Sequence, residues 1–249
     1  MKQIRALSWI ELKLFLREPI TVVFTLALPP LVLYVLAEVF GNVPDPQGVV
    51  YRGVGAVTYY VPAYVALVAA SLGIIGMPVH LASYRERGVL RRFQAARVPV
   101  AALLVSQLAV LLSGMAAGAA LLLAMARLFY DITWPASWVG VGFSALLGIV
   151  AFAAVGSLLG AAMPTARSAQ GIGILFWFLM MMLSGAGPPP EVLSTALNRF
   201  GDALPLRHLV IAIQDPWFGK GVNWTQTAIL VAITAVASGL AALFLRRRS

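Results

Sequence analysis

Six long apolar stretches separated by short polar loops run the length of the chain, at about 20–40, 58–82, 100–126, 138–162, 169–187 and 225–245. Each is close to the roughly 20 residues that carry a helix across the hydrocarbon of a bilayer. Lipid offers no partner to a backbone amide, so helices are the form these stretches predict. Residues 2–18 alternate Leu, Ile, Phe and Trp with charges, too polar to cross and too apolar to stay in water, which predicts an interfacial helix ended by Pro19. Pro29-Pro30 predicts a kink in the middle of the first span, where a helical hydrogen bond is missing. After the fifth span, Gly187-Pro188-Pro189-Pro190 opens a semi-apolar region whose helical pieces are too short to cross. Residues 188–214 therefore predict a re-entrant hairpin on the outer side, shielded by protein where its backbone is irregular.

Composition narrows the class to an all-α integral membrane protein. Of 249 residues 61% are hydrophobic and 11% charged, with a mean hydropathy of +0.90, against about 25% charged in a soluble domain. One transmembrane domain, 1–249, accounts for the chain and leaves no soluble domain of ordinary size. The net charge of +9 sits in short clusters beside the spans, as topology signals and contacts to anionic lipid headgroups require, and not as a nucleic-acid surface. One side collects Lys2, Arg5, Lys13, Arg17, Arg85, Arg87, Arg91, Arg92, Arg97, Arg167 and the run Arg246-Arg247-Arg248. The other holds Arg52, Arg127, Arg199, Arg207 and Lys220. The asymmetry predicts a multi-pass protein with both termini in the cytoplasm. With no cysteine, disulfides, thiolate chemistry and Cys-ligated metals are excluded.

Chemistry is sparse. A Walker loop needs Gly, four residues, then Gly-Lys-Ser/Thr; the single Gly-Lys pair, Gly219-Lys220, has Gln214 at the first glycine position and Gly221 after the lysine. No nucleotide site, other cofactor site, metal set or catalytic constellation is predicted, so the chain reads as a transport subunit and not an enzyme. Ion-coupled transport would need acids or histidines deep in the membrane. Glu38 and His80 are the candidates, and both lie near span ends, where pairing or interfacial roles suit them. The loop 83–99 is the most charged stretch, and a helix across it would set Val89, Leu90 and Phe93 in one patch among Arg85, Glu86, Arg87 and further arginines. Arginines alone would serve as a positive-inside anchor. Glu86 and the apolar triplet are not needed for that and point to a binding surface.

These features together resemble the permease subunits of type-2 ATP-binding-cassette exporters: Arg17-Glu18-Pro19 ending an amphipathic helix, Arg85-Glu86-Arg87-Gly88 after the second span, six spans with both ends inside, and Ser184-Gly185 through Leu204-Pro205-Leu206 before the last span. The resemblance implies a prokaryotic plasma-membrane location and a loop 83–99 that docks as a coupling helix on a partner ATPase. On that basis Arg85, Glu86, Arg87, Val89, Leu90 and Phe93 are the coupling residues. It further implies two ATPase copies, which bind the ATP and Mg, and a second permease subunit, a homodimer being the expected pairing. A substrate path between the permeases would be lined by the second and fifth spans. Within Phe176-Trp177-Phe178-Leu179-Met180-Met181-Met182, Phe176 and Met180 are the expected path residues, polarizable and one turn apart. The function so implied is ATP-driven efflux, by alternating access, of an amphipathic or hydrophobic drug, antibiotic or lipid-like compound. Export of polysaccharide or lipid-linked glycan is the alternative within the family; an ion-coupled transporter or channel subunit is the alternative outside it.

Overall fold

The structure, a computed structural model, describes residues 13, 16–44, 49–89 and 100–248, the side chains of 100–105 and 245–248 excepted. Most of the interfacial helix expected over 2–18 lies outside these residues, as do Leu90 and Phe93. Among the described residues all regular structure is helical. The order is α1 (Pro19–Phe40), α2 (Ala56–Glu86), α3 (Val100–Phe129), α4 (Trp138–Ala162), α5 (Ala166–Leu183), α6 (Thr195–Asp202), α7 (Pro205–Trp217) and α8 (Trp224–Arg248). Six of them, all but α6 and α7, are long and apolar enough to cross a membrane.

The second helix is the axis of the bundle. In α2, 89% of the most apolar stretch is buried, against 22–44% in the other five long helices. This follows from a sequence that is apolar all round, which suits a helix enclosed by others. By contrast α1 buries one residue per turn, Thr21, Thr25, Pro29, Leu33 and Ala37, and leaves Leu31, Tyr34 and Val35 outward. α4 and α5 flank α2, α1 and α3 also pack on it, and α8 lies along α4.

Lipid supplies little hydrophobic drive between helices, so close approach depends on small residues. A Cβ on Gly156 of α4 would fall 1.8 Å from the Gly73 carbonyl oxygen of α2, and one on Gly173 of α5 would fall 2.4 Å from that of Ile74. Gly118 of α3 packs similarly on Val68. The Gly156-xxx-Gly160 spacing thus serves contacts within the chain, with Gly160 against Pro78.

Prolines act one turn before the expected place. In α1 the irregularity is a wide turn at Val23–Ala27, where the Leu28 N–H reaches back five residues to Val23 O. Pro29 and Pro30 have no N–H to offer the carbonyls of Thr25 and Leu26, and widening the helix redistributes the remaining donors. α2 repeats the device at Leu72–Gly76 ahead of Pro78, with Met77 N–H bonded to Leu72 O.

Boundaries differ from expectation at several places, α3 running to Phe129 rather than 126 among them. α2 continues four residues past 82, to Glu86, because its last side chains find partners on α4 and α5 (below). α5 begins at Ala166 rather than 169, since Thr165 and Ser168 form a capping box, and it stops at Leu183 rather than 187, before Gly185 at φ +89°. The predicted hairpin becomes a single 3₁₀ turn at Pro190–Val192, then α6, then α7, which runs on to Trp217. α6 is mostly exposed, whereas Leu206, Leu209, Val210 and Ala212 through Trp217 of α7 are buried against α2, α4 and α8. With 13 residues, α7 is about 20 Å long, too short to cross.

Candidate functional site

At one end of the bundle the last turn of α2 meets the turn joining α4 to α5. An α-helix leaves its final carbonyls and first amides without partners. The donor four residues after Gly160 would be Pro164, which has no N–H, and the Thr165 N–H goes to Ser168 Oγ at 3.2 Å. Arg85 fills that gap: one guanidinium nitrogen donates to the carbonyl oxygens of Gly160 (2.9 Å), Ala161 (2.8 Å) and Met163 (3.2 Å). Next to it, Glu86 Oε2 accepts from the Ala166 N–H at 3.2 Å, the first amide of α5. A cation therefore sits at the negative end of α4 and an anion at the positive end of α5, the favourable sense for both helix dipoles.

Beyond Glu86 the chain turns. Gly88 adopts φ +66°, the left-handed region that ends helices, so the helix expected across 83–99 is interrupted there. Arg87 is exposed at this turn and Val89 half-buried just after it. Of the residues the sequence grouped for binding, Arg85 and Glu86 thus have partners within the chain, and Arg87 projects outward. The partnership was missed because it joins residues about 80 positions apart; Pro164, which strips a carbonyl of its donor, was the available signal.

The fifth helix separates the two expected path residues by burial. Met180 is fully buried and Phe176 half-buried against the core, while Ile172, Leu175, Phe178 and Leu179 face outward. Between them Trp177, also buried, donates from Nε1 to Ser71 Oγ of α2 at 2.8 Å and meets the Phe24 ring of α1 edge-on, with centroids 4.9 Å apart. This junction of three helices had no local signature in the sequence.

At the opposite end a polar cluster closes the bundle. Arg52 ion-pairs with Asp215 and donates to Gln214 Oε1 at 3.0 Å; Asn223 donates to the other Asp215 oxygen, and the Gln214 amide reaches Tyr59 O. Arg52, Tyr59, Glu191, Arg207 and Gln214 border a cavity of about 210 Å³. Arg207 is paired with Asp202 at 3.0 Å. His208 Nε2 lies 2.9 Å from Asp202 O at the end of α6, and its Nδ1 lies 2.6 Å from Gln226 Oε1 of α8, a capping arrangement. Tyr130 donates to Glu38 at 3.1 Å, and desolvation together with that carboxylate pushes its phenol up to about 12. Glu38 is thus occupied as a pairing group.

Comparison with protein families matches residues 2–218 to the model described as ABC-2 type transporter. Comparison with curated proteins gives no match.

Proposed function

The chain belongs to the ABC-2 type transporter family, and from that premise we propose that it is the permease half of an ATP-driven exporter of amphipathic or hydrophobic compounds. In this family ATP hydrolysis resides in a separate subunit, so an ABC ATPase partner is implied. The proposed assembly holds two such ATPases and two copies of this chain, with the Arg85 end in the cytoplasm. Nucleotide binding draws the ATPases together, and the resulting push enters through the segment that begins at Arg87.

One observation carries this reading: the buried length of α2 gives directly onto the exposed Arg87 turn. A load applied there arrives on the helix around which the others pack, and for that reason a small displacement of the loop can change the whole bundle. The choice of hydrophobic cargo over glycan rests on the aromatic rings. Tyr59, Tyr60 and Tyr64 form a contiguous row on α2, but all three are closed in by neighbouring helices, and Tyr60 is further tied to Gly187 O. A glycan path would want such a row open.

The test is co-purification of the chain with its ATPase, followed by efflux of a hydrophobic fluorescent dye from loaded cells. Arg87→Glu should leave the permease inserted while cutting ATP-dependent efflux at least tenfold. Undiminished efflux, or dye export by the purified chain without any ATPase, would reject the proposal.

A further inference from the structure

Arg85 and Glu86 are neighbours on one helical turn, and between them they hold both ends of the three-residue turn Met163 to Thr165. Charge-assisted hydrogen bonds are about twice as strong as neutral ones, and here they fall on backbone atoms, which do not swing away as side chains do. Close packing through Gly73, Gly156 and Gly173 joins α2 to α4 and α5 further along. At the end of α2, where Arg87 and Gly88 leave the helix, the two charged side chains join the last turn to both neighbouring helix ends.

We infer that Arg85 and Glu86 are positioning residues that make the α4–α5 turn follow the end of α2, so that a displacement entering at Arg87 is delivered to three helices together. This differs from a direct contact of either residue with the ATPase. It rests on the reading that the segment after Glu86 receives the load, and it adds where that load goes next. Without the link, α2 could shift at its end while α4 and α5 stayed behind, and ATP would be hydrolysed without moving the helices that flank it.

Hydrogen–deuterium exchange on the full permease–ATPase complex in lipid nanodiscs, with and without ATP plus vanadate, tests this. In the unmodified complex, nucleotide should alter exchange in both 83–99 and 160–170. Arg85→Ala should raise basal exchange in 160–170 about tenfold, as expected when a charged capping partner is lost. It should also abolish the nucleotide response of 160–170 while that of 83–99 persists; Arg85→Lys, which keeps a cationic donor, should restore part of it. A merely structural role would raise basal exchange and leave the nucleotide response of 160–170 in place, and that result would overturn the inference. Should Arg85→Ala fail to insert, Glu86→Gln, which retains an acceptor oxygen but no charge, should weaken the response, and an unchanged response again overturns it. Absence of any nucleotide effect on 83–99 in the unmodified complex is a separate outcome: it removes the premise of a load-bearing loop, and the inference falls with it.

Discussion

Tyr51 and Arg52 both hold positive φ, 56° and 57°, a conformation that costs a non-glycine residue roughly 1–2 kcal/mol. Something must hold them there, and the Arg52–Asp215 pair is the anchor, with side chains only 20% and 10% exposed and the Phe218 ring beneath the guanidinium. Arg52→Ala leaves the Asp215 carboxylate with Asn223 but no cation, and the expected loss is about 2–4 kcal/mol in a reversible unfolding measurement. Adding Asp215→Asn to that variant removes the stranded charge and should recover at least a third of the loss. Strict additivity of the two changes would show that the pair does not interact. The opposite charges of these two residues are plain in the sequence. Their pairing is not, because 163 positions separate them.

Among the helices, the decisive contacts are those where no side chain intervenes. Gly156 and Gly142 lie on the same helix, yet a Cβ at the first would strike Gly73 O at 1.8 Å and one at the second meets nothing within 4 Å. Gly156→Ala should therefore force α2 and α4 apart and destabilise the protein by at least about 1–3 kcal/mol, the usual cost of overpacking. Gly142→Ala should be neutral or slightly stabilising, as a helical glycine replaced by alanine often is. Thermal unfolding of the two variants in detergent reads the difference directly, and equal melting points would contradict the packing. Prolines tell a related story. Pro29 and Pro78 mark where each helix must depart from regularity, but the wide turns at Val23–Ala27 and Leu72–Gly76 lie before them, because the missing donors are felt by carbonyls one turn back.

For the molecule as a whole, the arrangement of charge asks which end faces the cytoplasm. The proposed orientation is open to a direct experiment, since the chain has no native cysteine to interfere. Arg167→Cys, exposed beside the α4–α5 turn, should react with a membrane-impermeant maleimide only after the cells are opened. Lys220→Cys, exposed between α7 and α8, should react in intact cells. The reverse pattern would invert the orientation and remove the loop after α2 from reach of a cytoplasmic ATPase.

From the sequence alone came the all-helical class, the number of apolar helices and the short helical pieces before the last of them. Length and hydropathy suffice for these, because a bilayer demands about 20 apolar residues and satisfied amides wherever a chain crosses it. The tertiary structure decided that α2 is the axis, that Trp177 joins three helices, that Met180 is enclosed and Phe176 only partly so, and that Arg85 and Glu86 close the ends of α4 and α5. In a chain this uniformly apolar, nearly every helix face looks alike in sequence. Which face is buried depends on where backbones can touch and where orphaned carbonyls find donors, and both are set by residues far apart along the chain.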